Sequence, residues 1–229
     1  SASAPEGDSV VLHRRIWING RMQTSSQRAM HQKWQWHSYV KDLGGIVDAT
    51  ATEPDRARRA SFVAAVYARM SEILGACGAV EGLDELPLFL VAASAPNAAL
   101  LGDGGAACIL IHEGLVQEIE RTAWEAVSCQ DFMASRMPWT ASGVLTDERR
   151  EFATHLVAHM LDFVVSHEIA HDVREHLKIV RAHRGAVALD EIASLRGANA
   201  GDDLLRFLEF DADAHALDVQ MHAADALGA

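Results

Sequence analysis

Two histidines and a glutamate in the second half of the chain have the spacing of a metal-dependent hydrolytic site. His167, Glu168 and His171 form the pattern H-E-x-x-H within a long, largely apolar stretch. On a helix, residues four apart lie on one face, about 6 Å apart along the axis. Both imidazoles can therefore reach one ion, while Glu168 projects about 100° to one side. This arrangement is typical of a zinc site with a general base beside a water molecule that the metal activates.

The segment that carries this pattern is predicted to form one long helix, from about residue 147 to about residue 176. Thr146 is suited to cap its N-terminus, since Asp147 and Glu148 follow it and acidic residues are favoured in a first turn. No glycine or proline interrupts the segment before Gly185. A wide apolar face predicts that the helix is buried, and it consists of Met160, Leu161, Phe163, Val164, Val165, Ile169, Val173 and Leu177.

A zinc site of this kind needs a third protein ligand and one open coordination position. Residues 204–218 read as a second amphipathic helix, on which Glu209 and Asp213 are four apart and share a face. Glu209 can be the third ligand, with Asp213 as the alternative. With Glu209 as ligand, Asp213 can accept the second N–H of a liganding histidine and fix its tautomer. Asp211 projects elsewhere, and His215 is not on the Glu209 face.

These motifs resemble those of the gluzincin metallopeptidases, and the closest likeness is to the branch containing the CAAX prenyl proteases and the HtpX-like proteases. The chain is similar to that branch in H-E-x-x-H-x-x-x-x-H, which ends at His176, and in E-x-x-A-D-x-x-A, which begins at Glu209. The resemblance covers about residues 60–225. The roles that it implies are binding of one zinc ion by His167, His171 and Glu209, general-base catalysis by Glu168, and contact of Asp213 with a liganding histidine.

The resemblance also implies where a peptide substrate would lie. In such enzymes the last strand before the active helix is the sheet edge with which the substrate pairs, and here that strand would be residues 106–111. Backbone pairing gives affinity with little demand on the sequence of the peptide. The alternative interpretation of residues 106–111 is an ordinary apolar core strand.

Other metal-site classes fit the chain less well. The metzincin pattern requires glycine at position 174 and histidine at position 177, where the chain has Arg174 and Leu177. A carboxylate-bridged di-iron site requires two E-x-x-H motifs, and no second one is found. His155 and His159 are also four apart, but no glutamate lies between them, so they are interpreted as structural or surface histidines.

Metallopeptidases usually supply a donor, separate from the metal, for the oxyanion that develops on the scissile carbonyl. His176, His215 and His222 are candidates by residue type. Sequence reasoning assigns the role to none of them.

Composition limits the cellular setting and the partners. The chain has 229 residues and a net charge of −12, which disfavours a nucleic-acid partner because phosphate binding needs a basic surface. No run of 18 apolar residues occurs, so no membrane span is expected. The three cysteines, Cys77, Cys108 and Cys129, are widely spaced and read as small buried residues in a reducing compartment. We therefore expect a cytoplasmic protein.

The predicted fold class is a helix-rich α+β, zincin-like domain with a small sheet, an active-site helix and a following glutamate-bearing helix. Residues 1–50 are predicted to be an N-terminal extension that packs on the core, and residues 51–229 the metallopeptidase domain. The remaining predicted elements are an Asn-Gly hairpin at 16–22 followed by an irregular segment, strands at 88–93 and 106–111, and helices at 54–76 and 115–127.

The sequence favours a zinc-dependent endopeptidase that uses one Zn²⁺ ion and acts on protein or peptide substrates. The alternative is a metal-bearing regulatory or protein-binding module of the same fold, with little or no turnover. Glu168 favours the enzyme, because an inactive relative would most easily lose its general base. A zinc hydrolase of smaller substrates stays open, and the oligomeric state is not predicted.

Overall fold

The computed structural model describes residues 25–77, 86–103, 105–132, 145–184, 188–190 and 203–227. They form a helix-rich α+β fold. Its elements, in chain order, are α1 (Ser25–Gln35), α2 (Ser38–Asp42), β1 (Ile46–Val47), α3 (Pro54–Cys77), β2 (Leu88–Val91), β3 (Ala98–Asp103), β4 (Ala106–His112), α4 (Glu113–Ser128), α5 (Asp147–Val173), α6 (His176–Arg184), β5 (Ala188–Asp190) and α7 (Asp203–Leu227).

The sheet has five strands in the order β1-β2-β4-β3-β5, with β2 and β4 parallel and the other pairs antiparallel. Side chains alternate between its two faces along a strand. Ile109 and Ile111 join the core cluster that α3, α5 and α7 share, whereas Cys108 and Leu110 join a second cluster with Trp34 of α1. Because both faces are covered, β4 is apolar on both sides, which explains why its sequence shows no polar alternation.

Strand β4 corrects the prediction for substrate binding. It pairs with β2 on one side and with β3 on the other, so neither of its edges is open to a peptide. The prediction that residues 106–111 form a substrate edge is therefore wrong, and the core-strand interpretation is the one that fits. The prediction failed because strand β3 was not predicted. Its Leu100 and Leu101 pair with Ile109 and Cys108 of β4 and so cover that edge.

The N-terminal part of the described chain is helical rather than irregular. Helices α1 and α2 cover the second face of the sheet, where Trp34 and Val40 are fully buried, and β1 then adds an edge strand beside β2. The predicted hairpin at 16–22 lies outside the described residues. Residues 25–50 of the predicted extension thus contribute both a covering layer and a strand.

Most other predicted elements are confirmed. The structure has helices close to the predicted 54–76 and 115–127, and strands close to the predicted 88–93 and 106–111. The prediction that all cysteines are buried is wrong for Cys129, which is exposed, whereas Cys108 is buried and its burial raises the pKa of the thiol. Within the described residues, no helix has the length and apolarity that a membrane crossing requires.

The helix that carries the H-E-x-x-H motif begins as predicted and ends earlier. The Thr146 side chain accepts a hydrogen bond from the backbone N–H of Arg149, which confirms the N-cap of α5. Helix α5 ends at Val173 instead of continuing to residue 176. A short turn follows, and α6 starts at His176.

A buried arginine joins α5 to the end of α4. Arg149 is 1% exposed, and its guanidinium donates to the backbone carbonyls of Val127, Cys129, Gln130 and Phe132, at 2.7 to 3.4 Å. Those carbonyls belong to the last turn of α4 and the chain after it, where a helix leaves acceptors unsatisfied. A cation also interacts favourably with the dipole at a helix C-terminus.

We expect Arg149→Met to lower the free energy of unfolding by about 3 kcal/mol, because buried carbonyls lose a charged donor. Urea unfolding followed by circular dichroism measures the change. Arg150→Met is the matched control. The Arg150 side chain is 54% exposed, and its ion pair with Asp147 is as long as 4.0 Å. The expected change in the free energy of unfolding is therefore within about 0.5 kcal/mol. Equal effects of the two substitutions would show that the capping of α4 contributes nothing.

Helix α6 packs closely on β3. A Cβ at Gly102 would lie 2.3 Å from Cδ2 of Leu177, so the glycine makes room for the helix. Arg181 then donates to the carbonyl of Gly102 at 2.9 Å. These contacts hold the N-terminus of α6, and with it His176, against the rest of the fold.

Candidate metal centre

Helices α5 and α7 pack against each other and bring three potential ligand atoms together. Nε2 of His167 lies 2.9 Å from Nε2 of His171 and 3.1 Å from Oε2 of Glu209. Nε2 of His171 lies 3.5 Å from the same carboxylate oxygen. The two imidazoles are 4% and 3% exposed, and the Glu209 side chain is 16% exposed. Residues more than 40 positions apart in the chain thus meet in one buried cluster.

The spacing of these atoms suits a small divalent ion. Zinc holds nitrogen and oxygen ligands at about 2.0 to 2.2 Å in a tetrahedral arrangement, which places any two of them about 3.3 Å apart. The three separations of 2.9, 3.1 and 3.5 Å bracket that value. Two imidazole nitrogens with one carboxylate oxygen also form a donor set of the catalytic kind, with a fourth position left open. Among the described residues, the metal-competent cluster consists of these three side chains.

Asp213 contacts the far side of the first histidine. Its Oδ1 lies 2.9 Å from Nδ1 of His167, so Nδ1–H of the imidazole can donate to the carboxylate. When His167 is neutral, that hydrogen bond leaves the lone pair of Nε2 available to an ion that His171 and Glu209 would also contact. The structure therefore brings Glu209, rather than Asp213, to the Nε2 atoms, and Asp213 lies where it can fix the tautomer of His167.

The electrostatics of the cluster favour an ionised Glu209. Burial disfavours the charged form of this carboxyl, but hydrogen bonds and positive charge from His167 and His171 outweigh burial and lower its pKa to about 2. A carboxylate that stays charged at neutral pH, beside two imidazoles, provides the negative charge that a divalent cation requires.

The second histidine contacts His176, which the sequence offered as a candidate oxyanion donor and not as a partner of a liganding histidine. Nδ1 of His171 lies 2.8 Å from Nδ1 of His176, and Nε2 of His176 lies 2.9 Å from Oδ2 of Asp211. Arg174 binds the same carboxylate through two hydrogen bonds of 2.8 and 3.1 Å. Burial, and then the charge of His171, lower the pKa of His176 although Asp211 opposes the shift. Two features of the sequence signalled these contacts. They are His176, five residues after His171, and Asp211, which was expected to project elsewhere.

These contacts bear on the oxyanion donor. Both ring nitrogens of His176 are engaged, one with His171 and one with Asp211, so this side chain is not available to donate to a substrate. His222 is 67% exposed and contacts Asp218 within its own helix. The oxyanion role stays unassigned for the described residues.

The remaining predicted residues fall as follows. Glu168 is 2% exposed and lies on α5 between the two convergent histidines. His155 and His159 are 65% and 73% exposed, and each lies near an acidic residue of its own helix. The interpretation of that pair as surface histidines is confirmed.

A scan against protein-family models found no match to the chain, and searches of the curated proteins and of the solved structures found none either. The likeness to gluzincins therefore depends on the two motifs and on the side chains that they contribute to this cluster.

Proposed function

We propose that the protein is a zinc-dependent endopeptidase with a gluzincin-like, and thus zincin-like, catalytic domain. The observation that carries the proposal is the convergence of His167, His171 and Glu209 from two helices, at separations that suit one zinc ion. Independent support comes from Asp213, whose carboxylate accepts from the ring nitrogen of His167 that faces away from the cluster.

The three convergent residues would hold the ion, and Glu168 would move the proton. When bound by these residues, zinc would supply a water molecule of lowered pKa and would polarise the carbonyl of the scissile peptide bond. Glu168 accepts the proton of the attacking water and then donates it to the leaving amine. Its 2% exposure keeps this carboxylate away from bulk solvent, where proton transfer to water would compete. Together these steps hydrolyse an amide without a covalent intermediate on the chain.

The second candidate is a metal-bearing regulatory or protein-binding module with little or no turnover. It would hold the same ion through the same residues. The three-residue donor set favours the enzyme, because sites with a purely structural metal ordinarily have four protein ligands. Glu168 beside those ligands is the further feature that a binding module would not require.

Removal of the metal tests the proposal. Protein loaded with one equivalent of zinc is expected to cleave an unfolded substrate such as reduced casein, and a strong chelator is expected to abolish cleavage. One equivalent of added zinc should restore the rate, whereas magnesium should not, because it prefers sites made of oxygen ligands. Product peptides are measured by mass spectrometry.

Two outcomes would contradict the proposal. Cleavage that continues in the chelator at the original rate excludes a metal-dependent mechanism. Stoichiometric zinc without cleavage of unfolded protein or of a mixed peptide library identifies the binding module instead.

A further inference from the structure

We propose that His176, Asp211 and Arg174 form a positioning relay for His171, which holds the Nδ1 proton of that histidine and thereby directs its Nε2 lone pair at the ion. The relay rests on the proposed metal site, and it concerns metal affinity rather than the hydrolytic step. It begins with the way the chain returns to His171 after α5 ends.

The turn between α5 and α6 is what brings His176 to His171. In a continuous helix, a residue five positions on would be rotated by about 140° and would face away. Here α5 ends at Val173, and Glu175 adopts a left-handed conformation with a φ of 57°, which is uncommon for a residue other than glycine. The chain therefore turns, and the two imidazoles meet with their planes at 72°.

Two contacts must be satisfied together, His171 with His176 and His176 with Asp211. Only one arrangement of protons satisfies both and also lets a neutral His171 bind an ion. For Nε2 of His171 to offer a lone pair, the proton of the ring must be on Nδ1. That proton is donated to Nδ1 of His176 over 2.8 Å, so the proton of His176 must be on Nε2. From Nε2 it is donated to Oδ2 of Asp211 over 2.9 Å. Each donor thus meets an acceptor, and no additional proton is needed.

Arg174 fixes the carboxylate at the end of the relay. Its guanidinium forms two hydrogen bonds with Asp211, one to each oxygen, a geometry that sets the orientation of the acceptor. His176, between Asp211 and His171, is 2% exposed, so solvent does not replace either contact. The end of α5, the start of α6 and the middle of α7 are thereby connected through side chains.

The two histidine ligands are supported in different ways. His167 contacts a carboxylate directly, that of Asp213. His171 reaches its carboxylate, that of Asp211, only through His176. Partners that orient a liganding histidine typically contribute 10- to 100-fold to metal affinity. The relay therefore predicts that residues without any contact to the ion determine how tightly the site holds it.

The test compares zinc affinity in His176→Phe, Asp211→Ala and the parent protein, by competition with a chromophoric chelator. His176→Phe keeps a ring of similar size without an acceptor, and Asp211→Ala removes the final acceptor. Both are expected to bind zinc about 10- to 100-fold more weakly. Asp218→Ala is the matched control, since it also removes an acidic residue from α7. Asp218 is exposed and pairs with His222. This variant should bind zinc as tightly as the parent.

A second measurement separates positioning from folding. In the zinc-loaded parent, nitrogen-15 spectra of the histidine rings are expected to show the proton on Nδ1 of His171 and on Nε2 of His176. In the metal-free protein, where no ion fixes the proton of His171, the preference of His176 for Nε2 should be present in the parent and lost in Asp211→Ala, while the melting temperature of this variant stays close to that of Asp218→Ala. A merely structural contact would shift the melting temperature and leave the tautomers unchanged.

The outcomes distinguish this proposal from the proposed function. A parent that binds zinc, with variants that bind it equally well, overturns the relay and leaves the peptidase intact. Weaker binding in both variants, in a protein that cleaves no peptide, supports the relay and overturns the peptidase. A proton on Nε2 of His171 in the zinc-loaded parent, or a parent that binds no zinc, overturns the relay outright.

Discussion

Glu168→Gln is expected to retain one equivalent of zinc and to lower kcat for peptide hydrolysis by a factor of about 100 to 10,000, the contribution typical of general acid–base catalysis. Glutamine has nearly the same shape as glutamate, so the buried position should accept it, but the amide cannot take a proton from water. Glu168 is not one of the proposed metal ligands, so metal affinity should change little. Steady-state hydrolysis of a fluorogenic peptide and elemental analysis of the same sample measure the two quantities.

The control lies on the same helix. Glu151→Gln changes a side chain that is 76% exposed and should leave both the rate and the metal content unchanged. If Glu168→Gln cleaves as fast as the parent, Glu168 is not the general base. If the variant loses both zinc and activity, the residue supports the site rather than the proton transfer.

Glu209→Ala is expected to reduce the zinc that remains after dialysis from about one ion per chain to almost none. The substitution removes the only negatively charged member of the cluster, and the fall in affinity should exceed the 10- to 100-fold that loss of an orienting partner typically causes. Because a ligand that binds only the folded state stabilises it, added zinc should raise the melting temperature of the parent and not that of this variant.

Two further substitutions calibrate this result. His171→Ala should lose zinc to the same degree, since it removes another of the three donor atoms. Asp218→Ala, on the same helix as Glu209, should keep it. Tight binding of zinc by Glu209→Ala would mean that the ion lies elsewhere, and the convergence of these side chains would then have no functional meaning.

What could be predicted from the sequence followed from local spacing. His167 and His171 are one helical turn apart, and so are Glu209 and Asp213, so each pair could be placed on a helix face without any knowledge of the fold. The structure brings the two faces together. The prediction that the two pairs meet came from chemistry, because a catalytic metal site on two histidines needs a third protein ligand, and Glu209 on the second helix is of a suitable type.

What could not be predicted depended on contacts between distant segments. Strand β3 includes Gly102 and Asp103, which weaken its strand signal, and its pairing with β4 and β5 supplies what local preference lacks. The end of α5 has no glycine or proline to mark it, because the left-handed residue there is Glu175. Without that turn, neither the contact of His176 with His171 nor the role of Asp211 could be inferred.

The burial of the cluster has a kinetic consequence. The side chains of His167 and His171 are only 4% and 3% exposed, and α7 lies across them. An ion held there would exchange slowly with the medium, because its three ligands lie on two packed helices and both imidazoles are almost completely shielded from solvent. The metal found in a purified sample would then record which ion was abundant when the chain folded, and samples from different expression hosts could differ in activity while sharing one amino-acid sequence.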